Sequence, residues 1–126
     1  MKEVMAVIRM NMINKTKEAL SDAGISSFTA TGRVLGRGKG KVDLSLVKGA
    51  ESGSDEAIAQ LGNGPKLFPK RMILVVVPDG LVQTVVDTVI SVNKTGNAGD
   101  GKIFILPVKD AVRIRTGEYG DSILDE

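Results

Sequence analysis

The sequence contains no cysteine, no histidine and no tryptophan. Without cysteine there is no disulfide, no thiolate zinc ligand and no thiol nucleophile. Without histidine there is no Ser-His-Asp constellation and no phosphohistidine route. Aromatic residues make up only 3% of the chain, three Phe and one Tyr. RNA-binding modules with a βαββαβ order stack bases on aromatics of their central strands, and no strand here offers two such side chains. Charge is nearly balanced, with 17 Lys and Arg against 15 Asp and Glu. That balance gives no reason to expect nucleic acid. No apolar run approaches the ~20 residues that span a bilayer. The apolar start, MKEVMAVIRM, is interrupted by Arg9 and is too short for a secretory signal. The expectation is a cytoplasmic protein with no membrane insertion.

What is present suits one compact domain: 126 residues, 42% of them hydrophobic. A chain of this size leaves much surface wet, so association would help it. Residues 3–9, EVMAVIR, read as a strand, and 13–23, INKTKEALSDA, as a helix stopped by Gly24. Residues 26–35 read as a second strand with a bulge at Gly32. Residues 36–69, rich in glycine, form a connection far longer than the usual ~2–6 residues. They mix charges with Leu44, Leu46, Ile58, Leu61 and Phe68, more apolar than a free linker. Residues 71–77, RMILVVV, read as a buried strand, 81–92 as an amphipathic helix, and 102–108, KIFILPV, as a fourth strand. Val112 and Ile114 alternate with Arg113 and Arg115, as in a half-exposed strand. The order strand–helix–strand, long loop, strand–helix–strand predicts an α+β, ferredoxin-like βαββαβ split sandwich over 1–126, with both helices on one face of the sheet.

The chemistry concentrates in two stretches. In 95–102, TGNAGDGK, Gly99 and Gly101 have no Cβ, so their N–H groups can approach phosphate oxygens, and Lys102 adds a point charge. Asp100 is an odd neighbour for a polyanion and should face away or hold the loop. By itself the stretch is equally a tight turn into a strand. In 111–120, Arg113 and Arg115 would share one strand face and present two guanidinium forks to a di- or triphosphate, or else pair with nearby acids.

TGNAGDGKIFILPV followed by VRIRTGE resembles the B-loop (95–102) and C-loop (111–120) of the PII nitrogen-regulatory proteins. EVMAVIR, TKEALSDAGI, LVKGAES and FPK resemble the same family in the same order, so the likeness covers almost the whole chain. The resemblance implies a trimer, or a mixed oligomer with a paralogue, that binds ATP or ADP in clefts between subunits. It implies 2-oxoglutarate bound beside Mg²⁺-ATP, and a long T-loop (36–69) that docks on or releases a target. It assigns the nucleotide to Val7, Thr29, Gly36, Gly38, Val76, Thr95, Gly99, Asp100, Gly101, Lys102, Arg113 and Arg115. It assigns the effector to Lys39 and Lys70. No residue is assigned to catalysis, and the implied role is that of a regulator, not an enzyme.

The sequence departs from that pattern in the T-loop. It is longer, Ser52 stands where many members carry a uridylylated Tyr, and no Gln occupies position 39 or 40. The missing Gln bears on Mg²⁺ and 2-oxoglutarate. The extra length and the P-K-R ending resemble the nitrogenase-linked (NifI) branch of archaea and some anaerobes, whose target is dinitrogenase. The alternative is an ordinary PII protein acting on an ammonium channel or on nitrogen-assimilation enzymes.

Overall fold

The computed structural model describes residues 1–37 and 67–124. Among the described residues five strands and two α-helices follow in order: β1 (Lys2–Arg9), α1 (Ile13–Asp22), β2 (Thr29–Ala30), β3 (Val34–Arg37), β4 (Leu67–Val77), α2 (Val82–Asn93) and β5 (Lys102–Pro107). The sheet order is β2-β4-β1-β5, with β3 also paired to β4. The β1–β4, β1–β5 and β2–β4 pairs are antiparallel. This is the expected split βαβ arrangement. The chain divides into two compact units, Met1–Val34 with Lys70–Glu126, and Leu35–Pro69. The second is nearly coextensive with the stretch read as a long loop.

The core of the first unit follows from alternation. Val4, Ala6 and Ile8 of β1 and Ile73, Val75 and Val77 of β4 are buried on one face. There they meet Ile13 and Leu20 of α1 and Val85 and Val89 of α2. Each such side chain contributes ~1.5–3 kcal/mol by leaving water. The helices are joined by a polar contact inside this layer. Asn93 Nδ2 donates to Thr16 Oγ1 at 3.0 Å, and Thr16 Oγ1 donates to the Met12 carbonyl at 2.7 Å. The opposite sheet face carries Met5, Val7, Met72, Leu74 and Val76, all only half-buried, with Phe104 and Leu106 exposed.

Three sequence expectations change. The second strand does not run through 26–35. β2 holds only two residues, and the chain breaks at 31–33 before β3. Thr31 causes the break: its hydroxyl accepts from the Met72 N–H at 3.0 Å, taking a ladder donor, while its carbonyl accepts from Arg71 Nε at 2.6 Å. The long connection is shorter at its C-terminal end, because β4 begins at Leu67, four residues before the expected strand. The coda around 112–115 is not a strand. Only an isolated bridge joins Val112 to Tyr119, and residues 114–116 turn. Gly117, at φ +72°, lets its N–H reach the Arg113 carbonyl at 2.7 Å and close the turn. Arg113 and Arg115 therefore do not share a strand face.

Candidate functional site: a clamped glycine loop at the end of β1

Strand register brings three segments together. Arg9, the last residue of β1, lies opposite Lys70 of β4. Val7, two residues earlier, lies opposite Lys102, the first residue of β5. The loop 95–101 between α2 and β5 therefore arrives beside the end of β1. Its closeness is set by Gly101. A Cβ there would lie 2.0 Å from the Val7 carbonyl oxygen, and its φ of +113° is one that L side chains avoid. No other residue fits this position without moving backbone.

Asp100 holds the loop. Its Oδ2 accepts from the N–H groups of Thr95 at 2.7 Å and Gly96 at 3.0 Å. Its Oδ1 accepts from the Thr95 hydroxyl and from Arg9 Nη1, the latter at 2.6 Å. The Thr95 hydroxyl, the Thr95 amide and the Arg9 guanidinium together hold the carboxyl well below the usual carboxylate range. The Asp100 carboxylate is therefore turned into the loop, as a structural acceptor. Arg9 also donates to the Ala98 carbonyl at 3.2 Å.

Lys70 is the least expected feature. It is only 8% exposed, and its ammonium donates to a neutral group, the Gly99 carbonyl, at 3.1 Å. Among the described residues no carboxylate pairs with it. Arg9 Nη2 and Lys70 Nζ lie 3.4 and 3.8 Å from where a Gly99 Cβ would be. Two cations thus converge on one short loop that already engages its single acid. Such a site is electropositive and attracts anions. Lys102 is exposed at the start of β5 and makes no side-chain hydrogen bond or ion pair among the described residues.

The structure gathers some of the sequence-assigned residues and separates others. Val7, Lys70, Thr95, Gly99, Asp100, Gly101 and Lys102 come together at the loop. Thr29 and Val76 line a different cleft of about 390 Å³, with Glu3, Leu74, Ile123 and Leu124. Val76 lies opposite Glu3, four residues down β1 from Val7, which is roughly 13 Å along the strand. Gly36 sits in β3, in the second unit. Gly38, Lys39 and Ser52 lie outside the described residues. Arg113 is in the C-terminal loop, paired with Glu118 Oε1 at 3.1 Å. Arg115 is in the turn that follows it. Among the described residues no three acids gather to hold a metal ion, and the Asp100 oxygens already serve four donors. The described side chains do not fit a protein-held Mg²⁺. No described helix is long and apolar enough to cross a membrane.

Arg9 escaped the sequence reading. It looked like an interruption of an apolar strand, and its partner Asp100 is 91 residues away. The available signal was a lone cation at a strand end, which is weak.

Comparisons with known proteins follow the same lines. Residues 1–118 match the family model described as Nitrogen regulatory protein P-II. The chain is 48% identical over 124 residues to a Nitrogen fixation nifHD region GlnB-like protein 2 of Methanothermobacter marburgensis, covering 98% of this chain and all of the relative. It is 46% identical to the protein of the same name from Methanobacterium ivanovii, covering 98% and 99%. It is 40% identical to Nitrogen regulatory protein P-II 1 of Escherichia coli K12, covering 98% and 100%. Among solved structures, Arabidopsis thaliana PII bound to citrate superposes with a TM-score of 0.72 at 30% identity, over 99% of this chain and 90% of that one. Match and fold together place this chain in the P-II family of nitrogen-regulatory proteins, as a signal-transducing regulator and not an enzyme.

Proposed function

We propose that the protein senses nucleotide and carbon status and acts on a nitrogen-fixation target. ATP or ADP would bind at the glycine loop, its phosphates taken by Gly99, Gly101 and Lys102. A dicarboxylate, 2-oxoglutarate, would bind at Lys70 with Arg9 beside it. The observation that carries this reading is the nearly buried Lys70 ammonium, whose only partner among the described residues is a neutral carbonyl, next to a second cation. An anion supplies the charge that the described residues do not. The plant relative crystallised with citrate, itself a polycarboxylate, fits that preference.

The separation of Val7 from Thr29 and Val76 supports a nucleotide site shared between copies. One chain would supply Val7 and the glycine loop, and another Thr29 and Val76. Arg113 and Arg115 would complete the phosphate contacts from a neighbouring subunit. The half-buried sheet face and the exposed Phe104 and Leu106 supply apolar surface for such a trimer or mixed oligomer. Mg²⁺, if used, would be held through the phosphates.

The response would be a population shift. ATP and ADP leave different phosphate contacts, and each favours a different arrangement of residues 36–69 through its differential affinity. One arrangement would inhibit the target, and 2-oxoglutarate would release it. Names tied to the nifHD region among relatives at 46–48% identity favour dinitrogenase as that target.

Calorimetry with ATP, then with Mg²⁺ and 2-oxoglutarate, tests the sensing step. Saturable ATP binding that Lys102→Ala abolishes is the expected result, and equal binding by parent and variant overturns the phosphate assignment. Pull-down with ADP at low 2-oxoglutarate tests the target. Dinitrogenase subunits are expected, whereas an ammonium channel in their place would make this an ordinary PII regulator.

A further inference from the structure

We propose that the cleft between α2 and β5 is a second ligand site, for a small aliphatic acid bearing an α-amino or α-hydroxyl group. The cleft has a volume of about 370 Å³, within the ~300–1,000 Å³ typical of small-molecule sites. Its walls are aliphatic: Ile8, Val86, Val89, Ile90, Ile103 and Ile105. It lies on the helix-covered face of the sheet, apart from Val7, Thr29 and Val76.

Two neighbouring residues on its lining make one part of it polar. Asn93 is only 5% exposed. Its Nδ2 donates to Thr16 Oγ1 at 3.0 Å and to the Val89 carbonyl at 2.9 Å. These bonds fix the amide, since a flipped amide would set Oδ1 against the Val89 carbonyl. Among the described residues Oδ1 has no hydrogen-bond partner. A buried acceptor in this state is rare in folded proteins and asks for a donor. The next residue, Lys94, lines the same cleft, is exposed, and its ammonium makes no hydrogen bond or ion pair among the described residues. An acceptor beside a cation matches a donor beside a carboxylate, the shared head of α-amino and α-hydroxy acids. The ligand's aliphatic tail then lies along the Ile and Val wall. A simple fatty carboxylate would leave Asn93 Oδ1 unmet, and an amine would leave Lys94 unused. Oδ1 is closed to solvent as it stands, so the ligand must displace the groups that cover it.

Asp100, Gly101 and Lys102 also border the cleft. Occupancy would therefore be coupled to the glycine loop, and the coupling must be reciprocal. The site itself does not depend on the nucleotide reading.

The test uses the full chain without nucleotide, titrated with leucine and, separately, with 2-hydroxy-4-methylpentanoate. Binding is followed by calorimetry and by amide chemical shifts. At least one of the two is expected to bind and to shift Ile90, Asn93, Lys94 and Ile105, and the pair tells amine from hydroxyl. 4-Methylpentanoate, which lacks the α-donor, is expected to bind at least tenfold more weakly, about 1.4 kcal/mol. Lys94→Glu, at an exposed position, is expected to weaken the acid about tenfold and to leave ATP affinity unchanged. Absence of binding by both acids up to about 10 mM overturns the proposal, since affinity that weak has no sensing value. Binding that leaves the cleft residues unshifted, or that Lys94→Glu does not weaken, also overturns it.

Discussion

The loop at 95–101 and the loop at 111–120 look alike in sequence: short, glycine-punctuated and cationic. They are built in different ways. The first is tied to the sheet by contacts that cross the chain. Arg9 reaches Asp100 and Ala98, Lys70 reaches Gly99, and Gly101 presses on Val7. The second is closed by several contacts between neighbours in sequence. The Arg113 N–H donates to the Glu118 carbonyl, the Gly117 N–H donates back to Arg113, and the Arg113 guanidinium pairs with Glu118. Its central residue, Ile114, is 99% exposed. A loop assembled on the core can present a ligand site in one chain. A loop that leaves an apolar residue in water offers that residue to another surface. This contrast fits the proposed site shared between subunits.

Gly101→Ala attacks the first loop at its tightest point and has the largest expected effect. The residue would adopt a disfavoured φ and collide with the Val7 carbonyl, costing about 2 kcal/mol or more. A lowered melting temperature together with lost ATP binding is expected. An unchanged melting temperature would mean that the loop does not rest on β1. Asp100→Ala comes next. Removing the acceptor of four donors should speed hydrogen exchange at Thr95 and Gly96 and weaken ATP, while exchange at Gly117 and Glu118 stays as it was. Equal effects on both loops would erase the distinction between them.

Acid offers a gentler route to the same comparison. The folded-state pKa of Asp100 is depressed, so the stabilisation it brings is fully present above the unfolded value of ~3.9. It is lost only as pH falls through the lower folded value. Amide shifts of residues 95–101 should therefore hold from neutral pH down to about pH 4 and move only below it. Movement near pH 6 would contradict the clamp. Glu118→Gln has the smallest expected effect. It loosens an exposed pair worth no more than ~1 kcal/mol, with a small change in melting temperature and none in the first loop.

The regular elements were largely legible. The 3.6-residue stripe located both helices to within a residue, and the apolar runs located β1, β4 and β5, because burial on a sheet or helix face imposes those periods. The glycine loop was legible as a motif, since Gly99 and Gly101 carry their constraint in their own backbone. The second strand was overextended because the donor that Thr31 captures, the Met72 N–H, lies 41 residues away. The coda was misread because alternation of Val112 and Ile114 with arginines is local, whereas the turn is closed by Gly117 and Glu118. Asn93 fell just past the expected helix, so its polar contact with Thr16 was not foreseen.

The order of elements, the absence of thiol and imidazole chemistry and the glycine pattern of the loop at 95–101 were determined by the sequence alone, because each depends on residue type and short-range spacing. Tertiary structure decided the rest. It placed Arg9 on Asp100, left Lys70 nearly buried against a neutral carbonyl, and divided Val7 from Thr29 and Val76. Those are consequences of antiparallel register, which brings together residues that no local pattern connects.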